Sequence, residues 1–194
     1  MTERHWPPPA PELTRSNVSR EVRRYAARVE ALQLGPVAKK RGIDLLHALK
    51  REQVSGWPYP KKLTRSEAYN RIMTDLVILH GVRWLLANGP YPFRLYRVKY
   101  GNTGGRGFDV EANAGRRRLV GEAFNAAPSY YPKKRRDAIG KLSGPAAEGA
   151  TVRIILLNHD ARPAPKAAFG LDLLSVNVRT GTCSFVRGLA GRPR

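Results

Sequence analysis

The sequence predicts an α/β domain, with a central mixed sheet flanked by helices and a helical region at its N-terminal side. Up to residue 88, apolar residues recur at steps of three and four, which is the period of an amphipathic helix. After residue 90 the period falls to two, which is typical of strands. An apolar run within 151–158 indicates a strand buried on both faces, as in the parallel part of a sheet.

The length and composition allow one α/β domain with a helical extension. The chain has 194 residues, of which 42% are hydrophobic, and this suits a single core better than two full domains. We expect a flexible proline-rich arm over residues 1–15 and a basic helical region over 16–62. The α/β core then covers 63–194.

The periodic pattern places the individual elements. Helices are predicted over 17–34, 37–53, 64–88 and 133–142, and strands over 93–98, 108–112, 117–124, 151–158, 171–178 and 182–186. The third helix opens with Thr64-Arg65-Ser66-Glu67, which matches a capping box and favours a structural role for Glu67. The second half of this helix is strongly apolar, so we expect it to pack across the sheet.

The charge of the chain indicates a polyanionic partner. Lysine and arginine number 35 against 15 acids, and the formal net charge is +20. Such an excess is most often neutralised by nucleic acid, and the planar fork of arginine suits phosphate. A basic composition without such a partner, or binding to anionic lipid, is the alternative. Charge alone does not separate an enzyme from a ribosome-associated protein.

Cysteine usage and the N-terminal segment bear on the cellular setting. Cys183 is the single cysteine, which excludes an internal disulfide and a cysteine-rich zinc site and fits a reducing, cytoplasmic setting. The first residues lack the apolar core of a signal sequence, and no apolar run is long enough to cross a bilayer. We therefore expect a soluble, cytoplasmic protein without a membrane partner.

Acidic residues stand in two segments that otherwise have the pattern of strands. Asp109 lies in the strand predicted over 108–112, and Glu122 lies in the next one. An ionised carboxylate in an apolar strand is costly unless it is paired, hydrogen-bonded or bound to a metal, so each acid requires a cation. The cation is either a phosphate-bound divalent ion or the arginines of 116–118. Glu111, on the same face as Asp109, is either a further acid of the site or a solvated residue at its rim.

The element order around these acids resembles the core of the PD-(D/E)xK nuclease superfamily, which includes many restriction and repair endonucleases. The resemblance covers about residues 70–180, and its motif is an acid on the second strand followed by an acid on the third. Asp109 matches the first acid and Glu122 matches the second. Phe124 occupies the position that usually holds a lysine in this family. The resemblance implies a restriction-endonuclease-like sheet and a metal-dependent nuclease.

The resemblance also implies roles for the site residues. Asp109 and Glu122 would bind Mg²⁺, for which Mn²⁺ would substitute, and Glu111 would assist them. Lys133 and Lys134, at the start of the following helix, would supply the basic group that position 124 lacks. The protein would then hydrolyse phosphodiester bonds of DNA, for instance as a type II restriction endonuclease. A homodimer would suit a palindromic site.

A set of basic residues is predicted to bind the phosphates of a nucleic acid. The alternative is that these residues only form solvated faces. They are Arg20, Arg24, Lys39, Lys40, Arg41, Arg117, Arg118, Arg135 and Arg136. The choice between DNA and RNA is open at this point. The alternative function is a non-catalytic basic nucleic-acid-binding protein with a degenerate nuclease-like site, which Phe124 favours.

Overall fold

The structure is a mixed seven-stranded sheet with helices on both faces. The computed structural model describes residues 12–30, 37, 39–53, 63–99, 107–161 and 170–188. The α/β class with a central mixed sheet is therefore confirmed. Most of the arm predicted over 1–15 lies outside the described residues.

The elements follow one another in the sheet as they do in the chain. In chain order they are β1 (Glu12–Thr14), α1 (Val18–Glu30), α2 (Gly42–Arg51), α3 (Arg65–Asn88), β2 (Leu95–Val98), β3 (Val110–Ala114), β4 (Arg117–Phe124), α4 (Tyr131–Ser143), β5 (Val152–Asn158), β6 (Asp172–Val176) and β7 (Cys183–Val186). Strands β4, β5 and β6 pair in parallel, and the other neighbours pair antiparallel. Helix α4 connects β4 to β5, as a parallel connection requires.

Two apolar cores lie on opposite faces of the sheet. Along β5, Ile154 and Leu156 belong to the core shared with α1 and α3, whereas Ile155 and Leu157 belong to the core shared with α4. All four side chains are almost completely buried. This explains why the β5 sequence is apolar on both faces, and the fold has three layers with the sheet in the middle.

Helix α3 is the central element on one face of the sheet. It begins with the predicted capping box: the Thr64 N–H donates to Oε2 of Glu67 over 2.9 Å, and the Glu67 N–H donates to Oγ1 of Thr64 over 3.4 Å. Its middle approaches the sheet closely at Gly81, where a Cβ atom would lie 2.5 Å from a methyl group of Leu156. No helix in the described ranges combines the length and the apolar character needed to span a bilayer.

The N-terminal segment belongs to the same core as the rest of the domain. The prediction of a flexible arm was wrong for residues 12–14, which form β1 and pair antiparallel with β2. Leu13 is fully buried opposite Tyr96, and it forms one apolar cluster with the inner face of α1. The side chain of Asn17 hydrogen-bonds to the backbone of Thr14 and of Glu12, which holds β1 against the start of α1.

Asp172, an acid in an apolar strand, has a structural role. It accepts a hydrogen bond from the Tyr91 hydroxyl, and its Oδ1 accepts another from the Gly188 N–H over 2.7 Å. Burial and this bond to Asp172 raise the pKa of Tyr91, so the hydroxyl stays protonated and donates. The acid therefore ties β6 to the segment before β2 and to the segment after β7.

We predict that Asp172→Ala destabilises the fold, because two donors lose a charged acceptor. Hydrogen bonds to charged groups contribute about 1.5–3 kcal/mol each, so the free energy of unfolding should fall by about 3 kcal/mol. Urea unfolding followed by circular dichroism measures this change. Asp137→Ala is the control, since its surface pair with Lys133 should contribute less than about 1 kcal/mol. Equal stability of the two variants would contradict the assignment.

Candidate active site

A polar cleft opens where the end of β4 meets the first half of α3. Its volume is about 440 Å³. The cleft also includes Asp109, directly before β3, Lys99, directly after β2, and Lys134, in the first turn of α4. It is lined by Glu67, Asn70, Arg71, Thr74, Asp75, Ile78, Lys99, Asp109, Glu122, Ala123, Phe124, Asn125 and Lys134. Both of the acids predicted to bind a metal are in this set.

Pairing of β3 with β4 brings the two acids together. Val110 pairs with Gly121, so Asp109 stands opposite Glu122 when the register is extended by one residue. Directly opposed residues on antiparallel strands point to the same face of the sheet. Oδ2 of Asp109 accepts a hydrogen bond of 2.8 Å from the Ala123 N–H, which fixes that carboxylate against β4. The two acids therefore share one corner of the cleft.

Burial of this pair raises the pKa of both carboxyl groups. Desolvation is the main cause for Asp109, and the Ala123 N–H and three lysines offset it in part. Desolvation, followed by the negative charge of Asp109, raises the pKa of Glu122 to about 7. Neighbouring carboxylates that are shielded from solvent in this way are characteristic of sites that hold a cation or a proton.

Three lysines from two different elements surround the acids. Nζ of Lys141, in the last turn of α4, lies 2.6 Å from Oε1 of Glu122. This contact is an ion pair by distance, although Oε1 accepts no well-aligned hydrogen bond from the described residues. Lys99, directly after β2, and Lys134, in the first turn of α4, both line the cleft and lower the pKa of Asp109 by their charge. Asp109 and Glu122 therefore lie near three lysines, in a cleft that Glu67, Arg71 and Asp75 also line.

A polar stripe of α3 forms the opposite wall. Residues 67, 70, 71, 74, 75 and 78 follow helical spacing and face the cleft. Asp75 is 2% exposed and accepts a hydrogen bond of 2.8 Å from the Tyr25 hydroxyl, so helix α1 is attached to this wall. Among these residues, the sequence singled out Glu67 as part of the capping box but not the polar residues that follow it on the same face. Their signal is the run of polar residues at helical spacing in a helix that is otherwise apolar.

The loop after β4 is held from two sides. The Asn125 N–H donates to Oγ1 of Thr74 on α3. Buried Asn158, the last residue of β5, accepts a bond of 2.8 Å from the Ala126 N–H and donates to the Ala126 carbonyl. Phe124 is buried and packs against Tyr131, with 6.2 Å between ring centroids. Sequence reasoning missed Asn158, because a polar residue at a strand end carries no distinctive pattern.

Two of the predicted catalytic residues, Lys133 and Glu111, are not among the residues that line the cleft. Lys133 is exposed, and its ammonium pairs with Asp137 on the outer surface of α4 at 3.1 Å. Oε1 of Glu111 accepts from the Phe108 N–H, and its other oxygen lies 3.6 Å from Arg118. Both side chains therefore have structural partners, and Lys141 takes the place that Lys133 was expected to have beside Glu122.

The residues predicted to contact nucleic acid are dispersed over the molecule. Arg20, Lys39, Arg41, Arg117 and Arg136 are exposed. Arg24 pairs with Glu21, and Lys40 pairs with Glu52. Arg118 donates to the Glu148 carbonyl and lies, with Arg117, at the start of β4, whereas the cleft is at its end. Arg135 is half-buried on α4. The basic residues nearest the acids are therefore Lys99, Lys134 and Lys141.

We predict that Glu122→Gln becomes more stable relative to the wild type as the pH rises. A carboxyl group with a raised pKa in the folded state binds its proton more tightly there than in the unfolded chain. The wild type therefore loses stability as the pH rises from the ordinary pKa of 4.5 to about 7, and glutamine abolishes this loss. The gain should reach up to about 3 kcal/mol between pH 5 and pH 7.5.

Urea unfolding in the presence of a chelator, at both pH values, measures this gain. Glu148→Gln makes the same change of charge at an exposed position and should leave the pH dependence unchanged. An advantage of Glu122→Gln that is identical at pH 5 and pH 7.5 would refute the raised pKa.

Comparison with protein-family models, with curated proteins and with solved structures gives no match for this chain. The resemblance to the PD-(D/E)xK superfamily stays a prediction that rests on the residues themselves. What the protein does is therefore argued below from the chemistry of the cleft.

Proposed function

We propose that the protein is a divalent-metal-dependent endonuclease that hydrolyses phosphodiester bonds of DNA. The observation that carries this proposal is the meeting of Asp109 and Glu122 in one cleft, with lysines from β2 and α4 around them. Paired carboxylates with raised pKa values are suited to hold a cation, and the lysines are suited to a phosphate anion. A phosphodiester bound together with a metal ion presents both a cation and an anion.

The donor set of the cleft fits a hard divalent cation. Carboxylate, hydroxyl and amide oxygens come from Asp109, Glu122, Thr74 and Asn125, and Mg²⁺ prefers oxygen ligands. Among the described residues, no three side chains of His, Cys, Asp or Glu are grouped closely enough to enclose a metal. Two carboxylates would leave the remaining positions to water and phosphate oxygens, as Mg²⁺ commonly requires. Mn²⁺ would substitute.

The residues of the cleft have two roles, because some neutralise charge and others position the reacting groups. A bound metal would polarise the phosphate and make a water molecule more acidic. Asp109 is held by the Ala123 N–H, so its carboxylate has a fixed direction. Lys141 neutralises Glu122, and Lys134 faces the open cleft, where it can contact the phosphate or orient the attacking water. Lysines of α4 would thus replace the group that Phe124 cannot supply.

The order of elements supports the same proposal. A long helix, three antiparallel strands, a helix and a parallel strand follow one another as α3, β2, β3, β4, α4 and β5. This is the element order by which the sequence resembles the nuclease superfamily, whose acids lie on the second and third of these strands. The net charge of +20 adds the electrostatic attraction that a nucleic-acid enzyme needs. A homodimer acting on palindromic DNA stays a prediction.

The second candidate function is a nucleic-acid-binding protein without catalysis. It is favoured by the buried Phe124, which fills the usual position of the catalytic lysine and packs on Tyr131. In this case Lys141 would be a permanent counterion of Glu122 and no metal would be required. Binding of DNA that is insensitive to chelator, without any cleavage, would support this candidate.

We predict that the protein nicks supercoiled plasmid with Mg²⁺ or Mn²⁺ and that a chelator stops the reaction. Asp109→Asn and Glu122→Gln should each lower the rate at least about 100-fold, because each removes a charged metal ligand. Gel electrophoresis of the nicked and linear forms measures the rate.

Glu111→Gln is the matched control, since Glu111 is a neighbouring acid that lies outside the cleft. It should cleave at a rate close to the wild type. Equal rates for Asp109→Asn and Glu111→Gln would exclude Asp109 from catalysis. The same assay with an RNA substrate decides between the two nucleic acids.

We predict that Lys141→Met slows cleavage and moves the acidic limb of its pH profile upward by roughly one pH unit. Lys141 lowers the pKa of Glu122, so without it the carboxylate forms only at higher pH. Lys134→Met should slow cleavage without an equal shift, because its charge acts on Asp109 only as a lesser cause.

Lys133→Met is the control on the same helix, where the ammonium faces outward. Profiles of cleavage rate against pH, measured for all three variants, distinguish these roles. A profile of Lys141→Met that coincides in shape with that of Lys133→Met would show that Lys141 does not act on Glu122.

A further inference from the structure

Tyr130 is a large aromatic residue that is exposed directly beside a buried one. Within the part of the chain that the structure describes, the large hydrophobic side chains that are exposed are Ile43, Leu46 and Tyr130. Tyr130 shows 60% of its surface to solvent, whereas the next residue, Tyr131, is buried against Phe124. Two consecutive tyrosines thus differ in exposure, since Tyr131 lies in the core and Tyr130 faces solvent.

The backbone that carries Tyr130 is firmly held. Its N–H donates to the Ala127 carbonyl over 2.9 Å, and its own carbonyl accepts from the Lys134 N–H over 3.1 Å. The N–H of Tyr131 also donates to the Ala127 carbonyl, and Asn158 clamps Ala126. The exposed ring therefore projects from a fixed backbone, and local flexibility does not explain its exposure.

The helical spacing places Tyr130 on the same helix face as a lysine that lines the cleft. Tyr130 is the N-cap of α4, and Lys134 follows it by four residues, so their side chains lie on one face of the helix. Lys134 lines the cleft with Asp109 and Glu122. Lys133 and Arg136 are exposed in the same first turn and a half of the helix. An aromatic ring among cations, next to a candidate phosphate site, is the combination that binds unstacked bases.

The sequence of this turn has an electrostatic cost without a ligand. The first turn of α4 contains no acid, and four basic residues follow Pro132 in succession. Cations at a helix N-terminus oppose the macrodipole and destabilise the helix end. Negative charge brought by a bound phosphate backbone would remove this cost. The turn is therefore suited to a strand whose phosphates contact the lysines and whose base lies on Tyr130.

We propose that Tyr130 is a stacking platform for an unpaired base and that the protein prefers nucleic acid with a single-stranded segment at the cleft. A base within a duplex has both faces covered by its neighbours, so a protein ring reaches it only where the strand is open. Flaps, gaps and single strands offer such a base. This preference rests on the proposed function for its place beside the scissile phosphate, but the stacking contact itself needs no catalysis.

Binding in the presence of a chelator tests the contact apart from cleavage. Fluorescence anisotropy is measured with a labelled single-stranded 20-mer and with the same sequence as a blunt duplex, at one fixed salt concentration. Tyr130→Ala should weaken binding of the single strand roughly 5-fold to 100-fold, the range of one aromatic–base stack, and change duplex binding less than twofold. Tyr130→Phe keeps the ring and should bind like the wild type.

Leu46→Ala is the matched control, because it removes an equally exposed apolar side chain from α2. It should leave both affinities unchanged. A 2-aminopurine base in the single strand should lose fluorescence with the wild type and with Tyr130→Phe, and keep it with Tyr130→Ala. Circular dichroism verifies that each variant is folded.

The outcomes separate this inference from the proposed nuclease activity. Unchanged single-strand binding by Tyr130→Ala would overturn it, as would equal weakening on single strand and duplex. Loss of binding in Tyr130→Phe as large as in Tyr130→Ala would assign the effect to the hydroxyl and also overturn it. Preference for the single strand that depends on the ring, in a protein that never cleaves, would sustain the platform while refuting the endonuclease.

Discussion

The pairing of β3 with β4 is the constraint on which the candidate site depends. Its register sets Asp109 opposite Glu122, and a shift by one residue would send one of them to the other face of the sheet. Because both side chains are partly withdrawn from water, the surrounding elements must supply positive charge. Lys99, Lys134 and Lys141 do so from β2 and α4. The placement of α4 across this end of the sheet therefore follows from an electrostatic need as well as from packing.

The elements that were predicted well are those with local signals. The bounds of β4, 117–124, agree with the prediction, because Gly115, at a φ of +58°, closes the turn before it. The capping box placed the start of α3, and its two hydrogen bonds explain why Glu67 has a structural role. The acids of the site were found for a related reason, since a carboxylate in an apolar strand conflicts with its surroundings.

The features that were missed depend on contacts between distant parts of the chain. Strand β1 has one buried apolar residue, Leu13, which is too little for a pattern, and its partner β2 lies more than 80 residues away. Lys141 reaches Glu122 because α4 crosses β4 at a particular angle, which periodicity does not reveal. The spacing of seven between Lys134 and Lys141 does place them on one helix face, and this signal was available. Lys133 was put forward on proximity in sequence, although its ammonium pairs with Asp137 and does not line the cleft.

The short first strand has a practical consequence for work on this protein. β1 covers the margin of the sheet at β2, and Arg15, the residue after it, donates to the last carbonyls of α3 at Leu86 and Ala87. Truncated chains that start later than Glu12 would expose the unpaired backbone edge of β2 and uncover one side of Tyr96, and such an edge promotes self-association. A purification tag is therefore better added before the proline-rich segment than substituted for that segment.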